Sequence, residues 1–417
     1  MSVDYLLVNP NNKILSPYSG SEQPIFASLY ATQLRNQGKD VKILDAEVLD
    51  LSVKETVEAV RKENPQHLIL FMFGNNPSVS STPKFKVTKE VVDYLIGDLD
   101  IKVTGLHTTA LPQKSKDELG VEVLRGKIFD GTPDMAYDLF PMDKYIAHNW
   151  HCLSGDARQP YAVTYSSLGC VGQCTYCNVS AIYGYQRKVW HRDIDKFLSE
   201  IDLLVNKYHV RNIKLWDEHF TVNRKRVIEI CDKLIERKYD LNIWAYARVD
   251  TVEPIMLYKM CKAGIKWLGV GFESGDDEVL SVVNKRADTL QAKEVVDIIH
   301  NAGISVMGNF ILFDGQTKES MQKTMDFAKS LNIEFINLYV GENLPGSELF
   351  KGQTKSWEQY GQFSPNLPKT EVREFRDKAF NDYFLDPKYL DNIKLKFGQQ
   401  SVDQVKAMIA YGKPHTR

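Results

Sequence analysis

No excess of charge of either sign marks this chain. Its formal net charge is −2 over 417 residues, so the global electrostatics give no case for a nucleic acid or an anionic membrane as partner. The densest basic run, Arg224-Lys225-Arg226, opens an expected helix and reads as a solvated face. Long apolar runs are missing too. The longest, Leu68 to Phe73, falls far short of the roughly 20 residues that a bilayer-crossing helix needs. The opening MSVDYLLVNP has neither the positive n-region nor the cleavage site of a signal peptide. Internal repeats and low-complexity segments are absent. Cysteine is scarce, six in all. Cys152, Cys231 and Cys261 are scattered, the last two at apolar helix positions, and this is no secreted disulfide framework. A reducing cytoplasm is the expected location, and it would keep clustered thiols free for metal.

What is present is alternation. A chain of this length can build two or three cores, and its apolar and charged fractions are ordinary for globular protein. Strands are expected at 5–8, 41–44, 68–73 and 101–105, with helices at 25–36, 53–62 and 88–96 between them. Strand, helix, strand with short links means a doubly wound, Rossmann-like parallel sheet over about 1–150. The pattern resumes with strands at 161–168, 212–216, 242–247, 267–272, 305–312 and 335–340. In the helix 194–205, Ile194, Phe197, Leu198, Ile201, Leu204 and Val205 share one face. Further helices start at Glu253-Pro254, stopping at Gly264, and at Thr289, stopping at Gly303. Right-handed crossovers favour a barrel-like curve, giving a partial (β/α)6 TIM-type barrel over 158–348. From 349 to 417 the chain reads as a helical tail packed on that barrel, with Pro365, Pro368 and Pro387 as punctuation.

Parallel α/β domains carry chemistry at the C-terminal ends of their strands. The strand ends here deliver a cysteine loop, Asp217-Glu218, Arg248 and Asp250, Glu273-Ser274, then Asn309 and Asp314, then Glu342. Each alone could be a helix cap or a surface residue. Their recurrence on one rim is what raises a site. The loop is SSLGCVGQCTYCNVSAIYG, residues 166–184, with Cys170, Cys174 and Cys177 spaced C-x3-C-x2-C. A closed structural zinc site takes four ligands. Two readings stay open: a Cys3His zinc site completed by His151 or His191, or a cluster with one position left vacant for a ligand. Tyr176 either shields that group or packs.

This motif, with an aromatic before its last cysteine and on the loop after strand one of a six-unit barrel, resembles the radical S-adenosylmethionine enzymes. The resemblance implies a 4Fe-4S cluster on Cys170, Cys174 and Cys177. Its unique iron would hold the amino and carboxylate groups of S-adenosylmethionine, whose reductive cleavage yields a 5′-deoxyadenosyl radical. It further implies cofactor contacts from Asp217 or Glu218 to the amino group, from Arg248 to the carboxylate, and from Glu273 and Ser274 near the ribose. Asn309 and Tyr176 join them as cofactor-binding candidates. Gly269, Gly271 and Gly275 would make room for the cofactor backbone. An electron donor such as flavodoxin or ferredoxin is implied as partner.

The first region sharpens the resemblance. VNP after the first strand, GLHTTALPQKSKDELGVEVLRG (105–126), AYDLFPMDKY (136–145) and, in the tail, REFRDKAF (373–380) resemble cobalamin-binding-domain-containing members of that family. There is no D-x-H-x-x-G to supply a lower axial histidine, and Gly105-Leu106-His107 stands where relatives often show G-G-H. His107 and His148 are possible corrin contacts, with ordinary packing the preferred reading. The expectation is a cobalamin-dependent methyltransferase acting on an unactivated carbon of a small-molecule or lipid- or sugar-linked substrate. The alternatives are a radical rearrangement, cyclisation or ring contraction without methyl transfer, and a non-catalytic zinc- or cofactor-binding scaffold.

Overall fold

The computed structural model describes residues 2–13, 16–74, 84–313, 316–341, 343–350 and 367–412. Asp314, Glu342 and Pro365 lie outside the described residues.

Five parallel strands form the first sheet: β1 Tyr5–Asn9, β2 Val41–Asp45, β3 His67–Met72, β4 Asp100–Gly105 and β5 Glu122–Leu124. Their order is 2-1-3-4-5. Alternate residues of β1 and β3 serve opposite faces. Leu7, Ile69 and Phe71 meet helix Ile25–Asn36, while Leu6, Val8, Leu68 and Leu70 meet helices Val53–Glu63 and Phe85–Leu95. Both faces are therefore covered, which explains why β3 reads as one continuous apolar run. A capping box between Ser52 and Glu55 starts the helix Val53–Glu63. The doubly wound expectation holds, but the strand order is not the 3-2-1-4-5-6 of dinucleotide-binding folds. It is the flavodoxin-like order, whose reversal point lies between β1 and β3.

The second sheet is also wholly parallel and runs in chain order: β6 Tyr161–Thr164, β9 Asn212–Leu215, β10 Asn242–Arg248, β11 Ile265–Glu273, β12 Ser305–Leu312 and β13 Phe335–Val340. Its edge strands β6 and β13 do not pair with each other among the described residues, so the wall curves without closing. The strand expected at 161–168 is broken. After Thr164 the Ser166 N–H turns to the Asp217 carboxylate (2.7 Å), and a short antiparallel ribbon follows, β7 Ser167–Leu168 with β8 Trp190–His191. Arg226, read from sequence as part of a solvated face, donates to the carbonyls of Ser166 (3.0 Å) and Arg192 (2.6 Å) and pins this ribbon.

The lower end of the barrel is plugged from the first region. Trp150 stands edge-on to Trp244 (5.1 Å) and Trp267 (5.3 Å). Above it Lys214 Nζ, on β9, pairs with Glu22 (2.6 Å), both almost wholly buried. One hydrophobic cluster runs from Leu7 through both regions to Val405. The tail contributes helices Lys369–Phe384, Pro387–Phe397 and Gln399–Tyr411. Tyr383 and Tyr389 donate from that tail to the carbonyls of Ile333 (3.0 Å) and Glu334 (2.9 Å), at the start of β13. No helix of the described residues is long and apolar enough to cross a membrane.

The two regions are tied by Glu200, buried on helix Ile194–Tyr208. It accepts from Arg192 (2.7 Å), Tyr137 (3.1 Å), Thr164 and the Met135 N–H (3.0 Å). Removing one partner of a buried pair leaves an uncompensated charge, which costs about 3–5 kcal/mol. Glu200→Ala is therefore expected to lower the urea midpoint by the equivalent of about 3 kcal/mol. Equilibrium unfolding followed by circular dichroism checks this, and a loss within error of zero would remove Glu200 from its central place.

Candidate functional site

The upper rim of the second sheet is built around the cysteine loop. Gly169 takes φ +92°, and a Cβ there would stand 2.2 Å from the Lys188 carbonyl oxygen, so only glycine lets the chain enter the loop. A Cβ on Gly172 would stand 3.2 Å from Cys170 Sγ and 4.0 Å from Cys174 Sγ, which places these two sulfurs around one point. The Gly172 N–H points at Cys170 Sγ (3.3 Å), and Arg248 Nη1 donates to Cys174 Sγ (3.3 Å). Burial, reinforced by the neighbouring Cys174, pushes the Cys177 thiol up to about 12; burial also raises Cys170. Such thiols stay protonated until a metal displaces the proton.

Among the described residues no three His, Cys, Asp or Glu side chains converge as they would on a single ion. The zinc alternative needs that convergence and a histidine. His151 is instead buried at the plugged end, with Nε2 3.0 Å from the Asn242 carbonyl oxygen, and His191 is exposed on β8. A cubane spreads its thiolates over separate irons, so three cysteines on one loop fit it without a common centre.

The acidic pair after β9 divides. Asp217, with no exposure, accepts from the Ser166 N–H (2.7 Å), the Ser166 hydroxyl (2.8 Å) and the Ser167 hydroxyl (2.5 Å). Burial raises its carboxyl, and these bonds oppose the rise. Glu218 reaches the loop itself, accepting from the Gly169 N–H (2.7 Å) and the Tyr183 hydroxyl (2.6 Å). Burial pushes it up to about 7. Arg248 is committed on every side. It forms a two-pronged pair with Asp250 (2.9 and 3.0 Å) and donates to the Lys285 carbonyl (2.8 Å) besides Cys174.

Glu273 ends β11 in the left-handed region, φ +68°, next to an irregularity in the β11–β12 register. Its carboxylate pairs with Lys285 Nζ (2.6 Å), both buried. Ser274 does not face the mouth. It is wholly buried against the Thr324 hydroxyl (3.1 Å) and caps the Asp276 N–H. Tyr176 packs on Phe313 (5.2 Å between ring centres) and borders Glu273. Of the glycines of GVGFESG, Gly269 and Gly275 press against protein, while Gly271 is partly exposed beneath two side-chain ends. A Cβ would meet Tyr246 and Met307 at Gly269, Glu273 and Lys285 at Gly271, and the helix Lys318–Ser330 at Gly275. This corrects, for Gly269 and Gly275, the reading that they clear space for a cofactor backbone.

Register aligns Arg248, Gly271, Asn309 and Asn337 side by side across four strands. All four are partly exposed, while Tyr246, Met307 and Phe335 one layer below are buried. This row is the floor of the mouth. Asn337 Nδ2 donates to Asn309 Oδ1 (3.2 Å). Asn337 escaped sequence reasoning; alternation along β13, counted two residues on from Phe335, was the available signal.

The first sheet presents its own C-terminal ends to the same region. A small cleft is lined by Asn9, Gln23, Phe26, Phe71, Phe73 and Trp216, that is, by the ends of β1 and β3, the start of helix Ile25–Asn36 and the residue after β9. Beside it Lys84 donates to Asn9 (2.7 Å) and Glu47 (2.7 Å), Asn9 to Asp45 (2.7 Å), and Tyr145 to Asp45 (2.7 Å), all buried. Burial and Glu47 push the Asp45 carboxyl up to about 6. His107 and His148 are packed residues, against Ser115 (2.8 Å) and Phe85, and against the Gly20 N–H (3.0 Å) and Glu22 (3.4 Å), respectively.

The model of the radical SAM superfamily matches residues 164–328. Over 442 aligned residues the chain is 24% identical to an uncharacterized methyltransferase, PH0819, of Pyrococcus horikoshii, spanning 92% of this chain and 93% of that one. Over 236 residues it is 28% identical to the anaerobic magnesium-protoporphyrin IX monomethyl ester cyclase of Rubrivivax gelatinosus, spanning 53% of this chain and 41% of that one. Its fold is similar to the cobalamin-dependent S-adenosylmethionine radical enzyme OxsB (TM-score 0.67, 14% identity, 100% of this chain and 76% of that chain). It is also similar to the radical S-adenosylmethionine methyltransferase TsrM of Kitasatospora setae (TM-score 0.64, 15% identity, 84% and 74%). At these identities the structural likeness is one of fold.

The loop entry offers a direct test. Gly184 also has positive φ (+63°), yet nothing lies within 4 Å of a Cβ there. Gly184→Ala should cost about 1 kcal/mol, whereas Gly169→Ala adds a backbone clash and should cost about 3 kcal/mol or more. Urea unfolding of both variants measures the gap, and equal losses would contradict the close approach at Gly169.

Proposed function

We propose that this chain, a radical SAM enzyme, transfers a methyl group to an unactivated carbon with the help of cobalamin. The observation that carries the reading is the joint placement of the cysteine loop and the first sheet's reversal point. The strand ends of both sheets open on one region, where parallel α/β folds place their ligands. The Pyrococcus horikoshii relative that spans nearly the whole chain, an uncharacterized methyltransferase by name, supports it.

In this proposal residues 1–150 form the cobalamin-binding-type domain, 158–348 the radical SAM core and 349–417 a helical extension. Cys170, Cys174 and Cys177 hold the 4Fe-4S cluster. Glu218, Arg248, Glu273 and Asn309 face S-adenosylmethionine from the rim, with Tyr176 packed alongside. Asp217 and Ser274 stand behind them, fixing the strand ends. When bound, the cluster supplies the electron that cleaves S-adenosylmethionine, and cobalamin supplies the methyl group. The chain's own part is positional. Phe26, Phe73 and Trp216 give the cleft an apolar wall, and Phe26 stacks on Phe73 at 4.4 Å. Arg248 donates to Cys174 Sγ and ties the cysteine loop to the end of β10. Nothing in the first region offers a D-x-H-x-x-G histidine, so any cobalamin would be held there by shape and hydrogen bonds. The substrate in this reading is a small molecule.

A second reading, cyclisation or rearrangement without methyl transfer, is favoured by the cyclase relative. Product analysis separates the two. An anaerobically reconstituted sample should contain iron, sulfide and cobalt and should form S-adenosylhomocysteine with 5′-deoxyadenosine. Formation of 5′-deoxyadenosine alone would select the second reading. Cys170→Ala, Cys174→Ala and Cys177→Ala should each abolish cleavage of S-adenosylmethionine; wild-type cleavage in any one would defeat the cluster assignment.

A further inference from the structure

We propose that His219 is a reserve partner for Asp250, so that a ligand carboxylate that takes Arg248 is bound together with a proton. The inference rests on the radical SAM reading, in which Arg248 meets the carboxylate of S-adenosylmethionine.

His219 follows Asp217 and Glu218 directly after β9. It is 3% exposed, and its ring lies against the turn Val249–Thr251 at the end of β10. That turn fixes the tautomer. The Thr251 hydroxyl donates its only proton to the Arg248 carbonyl (3.1 Å), so toward His219 Nε2 (3.1 Å) it can only accept. The Thr221 hydroxyl (2.7 Å) donates to the same oxygen. Nε2 therefore carries the hydrogen, and Nδ1 is a bare lone pair. Nδ1 is buried and has no hydrogen-bond partner among the described residues. Buried polar atoms are ordinarily paired, and one that is not calls for a reason.

The reason lies in the charges around it. Asp250 sits on the same turn as Thr251 and holds Arg248 through both oxygens (2.9 and 3.0 Å). The charged groups that reach His219 are Arg248, Asp250 and Lys285, and Lys285 is paired with Glu273 (2.6 Å). Burial first, then Arg248, push the imidazole down to about 4, against the pull of Asp250. The Asp250 side chain is 31% exposed, against 8% for Glu273, so it is the rim carboxylate with room to turn. A carboxylate arriving at Arg248 displaces Asp250 and neutralises the guanidinium. Asp250 is then an anion without its donors, beside an unprotonated imidazole. An opposite charge at close range raises a histidine by about 1–3 units. A proton from solvent goes to Nδ1, and the new N–H donates to Asp250. The Nε2–H bond to Thr251 is kept, no covalent bond breaks, and the added proton cancels the added carboxylate charge.

Calorimetry on the reconstituted full chain tests this without turnover. Binding of S-adenosylhomocysteine is measured in two buffers of different ionisation enthalpy, which counts the protons exchanged. At pH 6.5–7 the wild type should take up about one proton more than His219→Gln or Asp250→Asn. The comparison removes any proton exchanged by the probe's own amino group, which is common to all three proteins. 5′-Methylthioadenosine, which lacks the carboxylate, should show no such difference. The sign follows from the two states. Free His219 has lost its proton well below neutrality, and the paired one keeps it past its ordinary 6.5. Over that window the wild-type affinity should fall with rising pH by about tenfold per unit more than either variant's, and the difference should fade toward about pH 9. Equal proton counts in the wild type and either variant would overturn the proposal, because Asp250 then turns to water. A wild type that binds 5′-methylthioadenosine but not S-adenosylhomocysteine would overturn the carboxylate role of Arg248, and one that binds neither would overturn the radical SAM reading itself.

Discussion

Three hydrogen bonds to the buried carboxylate of Asp217 decide where the cysteine loop begins. A carboxyl group without exposure is tolerated only when its oxygens are occupied. Ser166 and Ser167 occupy them with one backbone and two hydroxyl donors. To do so the chain must leave β6 after Thr164, since a Ser166 N–H bonded to Asp217 cannot also serve the sheet. The break frees the Ser166 carbonyl for Arg226 and the Arg192 N–H. Leu168 then pairs with Trp190, and Gly169 turns the chain over the Lys188 carbonyl. Glu218 completes the clamp at the Gly169 N–H. The cysteines are thus suspended from the end of β9 rather than carried on a mobile strand end.

The plugged lower end has an equally broad effect. Trp150, Glu22 and His148 come from the first region and fill the barrel from below, so that the two sheets cannot be separated without exposing a shared core. Lys214 would be a costly buried ammonium by itself. The carboxylate of Glu22 and the rings of Trp244 (4.8 Å) and Tyr246 (5.8 Å) compensate it. Closure below leaves the upper mouth as the open end, and the same tie brings the β1–β3 reversal point beside Trp216.

Local patterns were readable and long-range bonds were not. The strands at 305–312 and 335–340 and the helix at 289–301 follow from periodicity and fall where expected. The cysteine spacing is a property of one loop and survives folding unchanged. The break at Ser166 was invisible because its cause, Asp217, lies 51 residues away. Gly269 and Gly275 were misread for the same reason. Their neighbours Tyr246, Met307 and Phe327 come from other elements, and no local rule names them. Arg226 seemed solvated because a helix's first turn usually is; the carbonyls that claim it belong to the ribbon.

Three charged residues of the described rim share one property: each already has a partner inside the protein. Arg248 is bound by Asp250, Glu273 by Lys285, and Glu218 by Tyr183 and the Gly169 N–H. A ligand carboxylate approaching Arg248 therefore competes with a two-pronged ion pair rather than meeting a free guanidinium. An exchange of partners costs little when the incoming group has the same charge and geometry as the one displaced, and much when it has not. The same holds at Glu273, whose left-handed backbone keeps its carboxylate over Gly271. A mouth built of paired charges has its side chains held in place before a ligand arrives. It also selects against ligands that bring charge without bringing a replacement for each bond they break.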